Sequence, residues 1–409
     1  MKVCDIVQFY SPLSGGVKRY IKDKIRYFSC TSAVSQFIII PSHRNAVCRE
    51  KDTRIYEIKS PPLIGSKSYR MLIAQKRMFD IIYTERPDLI EVGDPYRCAW
   101  IGLEAGRSLG VPVVAVYHSD YPRSLSRTVG KYGGPFLETL SSRTIEKYLV
   151  NLYNRMDMTV VPTERFLHTL KNMGIFRLIH VPLGTDPDMF YPRNSRNKVF
   201  QELALPPEAM LLLYVGRLSR EKNIEQLLKM MEYFGPDDAP IHLLLVGDGE
   251  LRDKARAATK SRDDVSWFPY CEKTERLAEL YSAADVFVHA GTAETFGLVS
   301  LEAQACGTRV LAVQDGGMDE TLEGEDPLIM AFDGRASTLA QSVRRIRQLN
   351  ETRECRMARR GRIIKRFYWE DTYGRLVDLY ERLVEGKLMV NSSDVLSEAR
   401  EEPFFHQAL

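Results

Sequence analysis

The chain has 409 residues, of which 44% are hydrophobic and 27% are charged, and its formal net charge is +3. This length suggests two or three domains, and the hydrophobic content excludes a largely disordered chain. A nearly neutral charge balance gives no support to a nucleic-acid-binding protein. Any basic surface with a function must therefore be local.

The seven cysteines are scattered, without a CxxC pair or a Cys/His cluster. An odd number of cysteines in a long chain argues against a disulfide framework and favours reduced thiols in the cytosol. Asp5 interrupts the first apolar run, unlike the core of a signal peptide, and no apolar run approaches the roughly 20 residues of a membrane span. We expect a cytoplasmic protein, one that could lie on the inner face of the cell membrane.

In the first half of the chain, short runs rich in valine and isoleucine alternate with amphipathic stretches. Such runs are typical of buried parallel strands, and they are Val3–Phe9, Phe37–Pro41, Asp88–Val92, Val111–Tyr117 and Met158–Pro162. The stretches between them, such as Val17–Phe28 and Tyr69–Arg86, have helical periodicity. The repeated strand–helix–strand order predicts a parallel sheet covered by helices.

Residues 186–208 are polar and contain four prolines, which is typical of a linker. The strand pattern then restarts, with predicted strands Met210–Val215, Ile241–Val246, Val265–Phe268, Val286–His289 and Arg309–Val313. Residues 370–385 predict a last helix. Two α/β units in tandem fit this order, with a ligand cleft between them at the carboxyl ends of the strands.

The segment after the predicted strand Val286–His289 carries the most informative residues. Glu294 lies in a loop of small residues, and a helix is predicted to begin near Phe296, with Glu302 about two turns into it. A helix start presents free N–H groups and a positive dipole end to a diphosphate. The two carboxylates are suited to accept hydrogen bonds from sugar or ribose hydroxyls.

In each unit, one further candidate segment follows the first strand. Arg217 and Lys222 come after Met210–Val215, where their charges can neutralise a pyrophosphate. Gly15 and Gly16 come after the first strand and let the backbone approach a ligand closely, whereas Arg19 could be an exposed helix residue.

The string Glu-x-Phe-Gly-Leu-x-x-x-Glu-Ala-x-Ala-x-Gly from Glu294 resembles the signature of the GT-B glycosyltransferases of family 4, also called group 1. The other segments resemble this family in the same order, and the neighbourhood of Glu91 and His118 is similar to its glycolipid-forming members. The resemblance implies an α/β protein of GT-B fold, with two Rossmann-like domains facing across a cleft. It implies an acceptor domain over 1–190 to which a helix over 367–388 crosses back, a sugar-nucleotide domain over 200–366, and a flexible tail over 389–409.

The resemblance also implies roles for individual residues. The expected catalytic residues are His118, Arg217, Lys222 and Glu294. His118 is expected near the C6 hydroxyl of the transferred sugar, Glu294 on the sugar hydroxyls and Glu302 on the nucleotide ribose. The expected donor-binding residues are Gly16, Arg217, Lys222, Gly247, Glu294, Phe296, Gly297, Leu298, Val299 and Glu302.

The reaction implied is transfer of a hexose from a UDP- or GDP-sugar to an acceptor hydroxyl with retention of anomeric configuration. Asp186-Pro187-Asp188 has the form of a metal-binding DxD, but it lies at the predicted linker, so we expect no metal requirement. We expect no cofactor either, since the sugar nucleotide is a substrate. No carboxylate is a clear candidate for the nucleophile of a retaining hydrolase. Same-face attack is implied instead.

The acceptor is less determined. Arg123, Arg127 and Lys131 recur every four residues, which suits either an anionic membrane surface or a solvated helix face. Asp120 could support His118 or face the acceptor. A membrane lipid is the first choice of acceptor. The alternatives are a soluble sugar acceptor, a sugar-nucleotide epimerase of the same architecture, and a non-catalytic binding module.

Overall fold

A computed structural model describes residues 1–10, 15–31, 33–63, 69–123, 142–235, 238–292, 294–322 and 333–386. These residues form two compact units. The first contains Met1–Tyr10, Lys24–Val181 and the described residues from Arg375 onward. The second contains residues 15–23 and Pro182–Gly374.

The first unit is built on a sheet with the strand order β3-β4-β2-β1-β5-β6-β7-β8. Its strands, in chain order, are β1 (Lys2–Ile6), β2 (Ser35–Ser42), β3 (Ala46–Glu50), β4 (Thr53–Lys59), β5 (Leu89–Val92), β6 (Val113–Val116), β7 (Met158–Val161) and β8 (Leu178–His180). Neighbouring strands are parallel except β3 and β4, which pair antiparallel. Its helices are the C-terminal part of α1 (Gly16–Cys30), α2 (Gln75–Glu85), α3 (Arg97–Leu109), helical residues 142–153 (α4) and α5 (Glu164–Asn172).

The second unit contains a parallel sheet with the strand order β11-β10-β9-β12-β13. The strands are β9 (Met210–Val215), β10 (Ile241–Val246), β11 (Val265–Phe268), β12 (Val286–His289) and β13 (Arg309–Ala312). The helices are α6 (Arg196–Glu202), α7 (Ile224–Met230), α8 (Arg252–Ser261), α9 (Thr274–Ala283), α10 (Leu298–Ala305), α11 (Asp319–Leu322), α12 (Ala336–Gln348), α13 (Arg353–Arg366) and α14 (Trp369–Val384). Helix α14 runs on into the first unit at Arg375.

Hydrophobic cores explain why these strands form. In the first unit, side chains of the central strands, such as Ile6, Ile39 and Val92, pack with residues of α2 and α3 into one buried cluster. The second unit has two clusters, because every residue of β9 and β10 is buried and their alternate side chains occupy different clusters. Strands buried on both faces are those expected of a parallel sheet with helices on both sides.

All ten strands predicted from apolar runs are present, four of them with the predicted bounds and the other six with one or both ends shifted by one to three residues. Among the described residues, three further strands were not predicted: β3, β4 and the three-residue β8. In β3 half-buried and exposed residues alternate and none is buried, and in β4 exposed or half-buried residues interrupt the buried ones, so neither strand has a continuous apolar run. The interpretation of 186–208 as linker was wrong in part, because α6 begins at Arg196 and buries Val199 and Phe200. Within the described residues, no helix has the length and apolar character needed to cross a membrane.

Candidate functional site

The loops after β9 and β12 lie together because these two strands are neighbours in the second sheet. After β9 the chain makes a short 3-10 turn at Arg220–Lys222, and Asn223 follows in the left-handed region with a φ of 52°. The Asn223 side-chain amide donates to the carbonyl oxygen of Ala290, at a distance of 2.8 Å. This hydrogen bond links the loop after β9 to the loop after β12. Each loop carries one charged side chain, and the two side chains meet.

Those side chains are Lys222 and Glu294, which form an ion pair through Lys222 Nζ and Glu294 Oε1. The same carboxylate oxygen lies 3.2 Å from His289 Nε2. Burial disfavours the ionised carboxylate, but the Lys222 ammonium and the bond from His289 outweigh it and hold the pKa of Glu294 well below its usual range. Glu294 is therefore ionised at neutral pH and can only accept hydrogen bonds.

Arg217 follows β9 directly, and its side chain is 53% exposed. Its guanidinium lies 3.8 Å from the Glu221 carboxylate, one helical turn along the chain. An exposed arginine in such a long contact gains little from it. The contact between Arg217 and Glu221 is therefore a weak one.

Helix α10 begins at Leu298, two residues later than predicted, because Gly297 adopts a left-handed φ of 88°. The Phe296 side chain is buried and packs against Phe367 with 5.8 Å between ring centroids. Any part that 296–299 plays in binding an anion thus falls to backbone N–H groups rather than to the Phe296 ring. Gly297 and the half-buried Leu298 and Val299 lie at this helix start.

Gly16 is the first residue of α1, and a Cβ placed on it would lie 3.9 Å from Leu298 Cδ1. The N-terminal ends of α1 and α10 are therefore close together. Two helix starts, each with backbone N–H groups and a positive dipole end, favour an anionic group between them. The structure thus places Gly16 next to Leu298.

Glu302, in the second turn of α10, is buried, and both its oxygens have protein partners. Arg19 Nε lies 3.5 Å from Oε1, and the Tyr281 hydroxyl donates to Oε2 at 3.0 Å. Burial raises the pKa of Glu302, and Arg19 and Tyr281 only partly oppose this. Arg19 is thus part of the candidate site rather than an exposed helix residue. In the sequence, its position three residues after Gly16 was the feature that could have indicated this.

Gly247 follows β10 with a φ of 144°, and a Cβ on it would lie 1.9 Å from the carbonyl oxygen of Gly216. Only glycine allows this close approach between the turns after β9 and β10. Gly247 therefore supports the Arg217 loop.

In the first unit, His118 follows β6 and lies against Gly93, whose Cβ would be 3.4 Å from the imidazole Cδ2. Burial lowers the pKa of His118 to about 4, so the ring is neutral at pH 7. Asp120 Oδ1 accepts a hydrogen bond from the backbone N–H of Arg123 at 3.2 Å, so one oxygen of the Asp120 carboxylate has a partner within its own loop. Arg127 and Lys131 lie outside the described residues.

Asp94 is a buried acid that sequence reasoning did not single out. It accepts hydrogen bonds from the backbone N–H groups of Gln8 and Phe9, at 2.9 and 3.3 Å, and from the Tyr121 hydroxyl at 3.2 Å. Burial raises its pKa to about 6, and these bonds oppose the rise. Asp94 thereby joins the segments that follow β1, β5 and β6, where His118 lies.

The DxD-like acids have a local role. Asp186 is buried, and its Oδ1 accepts a hydrogen bond from the Asp188 N–H at 2.8 Å. Such a bond is typical of an Asx turn. In the described part of the chain, no group of three or more histidine, cysteine, aspartate or glutamate residues could hold a metal ion.

Two sequence families match most of the chain. Residues 14–189 match the model of "Glycosyltransferase Family 4", and residues 195–362 match that of "Glycosyl transferases group 1". A GDP-mannose-dependent alpha-(1-6)-phosphatidylinositol dimannoside mannosyltransferase of Mycobacterium tuberculosis is 29% identical over 90% of this chain and 93% of its own. A GDP-mannose-dependent alpha-mannosyltransferase of the same species is 33% identical over 62% of this chain and 61% of its own.

Solved structures agree on the fold. Sucrose-phosphate synthase from Thermosynechococcus elongatus superimposes with a TM-score of 0.74 at 21% identity, over 94% of this chain and 100% of that chain. Anabaena HepE in complex with UDP and glucose gives a TM-score of 0.70 at 17% identity, over 93% and 99%. Such low identities support the GT-B fold class and do not identify a substrate.

Proposed function

The chain belongs to the family 4 (group 1) glycosyltransferases, which use nucleotide-sugar donors, and we propose that it transfers mannose from GDP-mannose to a hydroxyl of a membrane lipid. We further propose that the transfer retains the anomeric configuration and needs no metal ion. The observation that carries the proposal is the meeting of Lys222 and Glu294 beside the start of α10.

This arrangement supplies the two kinds of group that a sugar diphosphate requires. The cations Arg217 and Lys222, with the helix starts at Gly16 and Leu298, are suited to the negative charge that grows on the leaving diphosphate. The ionised Glu294 is suited to accept hydrogen bonds from hydroxyls of the transferred sugar. A diphosphate stabilised in this way can leave without a protein acid or a metal ion.

Retention follows, in this proposal, from attack on the face that the diphosphate leaves. The acceptor hydroxyl forms the new bond to the anomeric carbon, the bond to the phosphate oxygen breaks, and that phosphate takes the hydroxyl proton. We assign the neutral His118 imidazole to a hydroxyl of the transferred sugar, and Glu302 with Arg19 to the nucleoside end of the donor.

The choice of GDP-mannose and of a lipid acceptor rests on the relatives. The mycobacterial mannosyltransferase that matches nearly the whole length of this chain is named for both. The Arabidopsis relative, sulfoquinovosyl transferase SQD2, is 24% identical over 83% of this chain. A soluble acceptor is the second candidate, because the D-inositol 3-phosphate glycosyltransferase of Xylanimonas cellulosilytica is 31% identical over 50% of the chain.

The test combines the purified protein with GDP-mannose, UDP-glucose or ADP-glucose, each with phosphatidylinositol vesicles, with free inositol phosphate, or alone. We expect GDP release and a mannosylated lipid only with GDP-mannose and vesicles, an α-linkage by NMR, and no loss of activity in EDTA. Glu294→Gln should lower activity by about 100-fold or more, as loss of a charged hydrogen bond near the reacting centre does.

Each alternative has its own outcome. Transfer to inositol phosphate alone would replace the lipid acceptor by a soluble one. An epimerised sugar nucleotide without acceptor would indicate an epimerase. Binding without turnover of any donor would indicate a non-catalytic module. A β-linked product would overturn retention, and loss of activity in EDTA would overturn metal independence.

The membrane part of the proposal has a separate test. Replacing Arg123, Arg127 and Lys131 by glutamine should weaken binding to anionic vesicles, with little change in GDP-mannose binding. Equal binding of the variant and the wild type would remove these residues from the proposal.

A further inference from the structure

His289, the last residue of β12, is a buried histidine for which the reaction proposed above has no role. Its side chain is 2% exposed and stacks near the rings of Tyr214 and Phe287, with centroid distances of 6.1 and 6.4 Å. Its Nε2 lies 3.2 Å from Glu294 Oε1. Strand β12 thus holds an imidazole within hydrogen-bond distance of the carboxylate that we assign to the transferred sugar.

The hydrogen-bonding pattern indicates which nitrogen carries the proton. Nδ1 is buried and has no hydrogen-bond partner among the described residues. A proton on Nδ1 would leave a buried N–H without an acceptor, which proteins avoid more strictly than an unpaired acceptor. The favoured arrangement therefore has a proton on Nε2, which donates to Glu294 Oε1.

Lys222 and His289 contact the same oxygen. In the described part of the chain, the side-chain hydrogen bonds and ion pairs of the Glu294 carboxylate all fall on Oε1. Two donors on one oxygen fix the rotation of the carboxylate and leave Oε2 to accept from a ligand. A carboxylate held by one flexible lysine alone would be less ordered.

Gly291 makes room for this arrangement. A Cβ on Gly291 would lie 2.6 Å from His289 Cε1 and 3.3 Å from Lys222 Cα. The loop after β12 therefore passes over the imidazole with no space for a side chain. Any larger residue would push on the ring that holds Glu294.

We propose that His289 is a positioning residue that, with Lys222, anchors Oε1 of Glu294 and presents Oε2 to a hydroxyl of the donor sugar. This inference rests on the proposed function, in which Glu294 faces that sugar. It assigns His289 to the sugar half of the donor, so the loss of His289 should not change the binding of GDP alone.

The test compares the binding of GDP and GDP-mannose by calorimetry. His289→Leu removes the donor and keeps an apolar side chain of similar size, whereas His289→Gln keeps an N–H that can reach Oε1. We expect His289→Leu to weaken GDP-mannose binding by about 10- to 100-fold, the range for a hydrogen bond to a charged group, and to leave GDP binding unchanged. His289→Gln should stay within about 3-fold of wild type, since it keeps such a bond.

A double-mutant cycle separates positioning from a general effect on folding. In a Glu294→Gln background, His289→Leu should change GDP-mannose binding less than about 2-fold, because the group it positions is already altered. If His289→Leu does not fold, Gly291→Ala should give the same selective loss by displacing the ring.

Equal weakening of GDP and GDP-mannose binding, or no weakening of either, would overturn the assignment of His289. If the wild type prefers another sugar nucleotide, it is the choice of GDP-mannose that fails. The comparison of the preferred donor with its nucleotide then tests His289 in the same way.

Discussion

Lys24→Met removes the cation from a cluster of charges buried within the first unit. Lys24 Nζ lies 2.6 Å from Asp5 Oδ1 and 2.8 Å from Glu91 Oε2, and all three side chains are at most 2% exposed. The Gln36 amide donates to Asp5, and the Tyr380 hydroxyl donates to Glu91. The cluster joins α1, α14 and three strands of the sheet, so its loss should destabilise the whole unit.

The expected loss of stability is about 3–5 kcal/mol at pH 8, the range for a buried ion pair that loses one partner. That is a large share of the roughly 5–15 kcal/mol by which a domain is folded. Even beside Lys24, burial raises the pKa of Asp5 to about 7. Without Lys24, two buried carboxylates would face each other with no cation between them.

The loss should also depend on pH. In the variant, the folded-state pKa values of Asp5 and Glu91 should lie well above their unfolded values of about 4. The folded variant then binds more protons than the unfolded chain between about pH 4 and 8, so it regains stability as the pH falls. Wild-type Asp5, with a pKa of about 7, also takes up a proton in this range, so only the additional rise in pKa caused by the loss of Lys24 reduces the deficit. Each pKa unit is about 1.4 kcal/mol, so an additional rise of about two units should shrink the deficit by about 2–3 kcal/mol between pH 8 and pH 5.

Hydrogen exchange in urea, read by mass spectrometry on peptides covering β1 and β5, measures the first unit separately from the second. Lys22→Met is the matched control, because Lys22 is exposed on the same helix and should change stability by less than about 0.5 kcal/mol. A deficit below about 1 kcal/mol for Lys24→Met, or one that grows as the pH falls, would refute the reasoning.

Two further predictions concern Gly317 and Asp94. Gly317 has a φ of 95°, and a Cβ on it would lie 1.9 Å from the Glu294 carbonyl oxygen, so Gly317→Ala should displace Glu294 and lower transferase activity at least 10-fold. Gly361→Ala, which meets no atom within 4 Å, is its control and should remain active. The folded-state pKa of Asp94, about 6, lies above its unfolded value. Asp94 therefore costs the first unit about 3 kcal/mol of stability as the pH rises from about 4 to 7. Asp94→Asn should remove that fall in chemical denaturation, and an unchanged pH profile would contradict it.

The strands that sequence reasoning found are those buried on both faces, because a continuous apolar run is visible without knowledge of neighbours. In the described part of the chain, strand β3 pairs with β4 alone, at the edge of the sheet, and its residues alternate between half-buried and exposed. Its register with β4 joins Val47 to Tyr56 and Cys48 to Ile55. Pairing of this kind depends on tertiary context rather than on local apolar content, so no apolar run marks it.

The sequence predicts the candidate site as a list of residues and not as a set of contacts. Lys222 and Glu294 are 72 positions apart, yet they form one ion pair because β9 and β12 are adjacent. Arg19, in α1 near the N-terminal end of the chain, contacts Glu302 in α10. The sequence shows which residues end each strand, whereas the order of strands in the sheet decides which of those ends meet.

The contrast between Glu294 and Glu302 bears on the mechanism that we propose. The pKa of Glu294 is held low by Lys222 and His289, while burial raises the pKa of Glu302. Divergent pKa values in a pair of carboxylates often mark a general acid and a base. Here an ionised Glu294 has no proton to give, and the Glu302 carboxylate is engaged by Arg19 and Tyr281. Neither is placed to protonate a leaving group, and the departing diphosphate must then be stabilised by cations and helix N–H groups, which is the role we propose for Arg217, Lys222 and the start of α10.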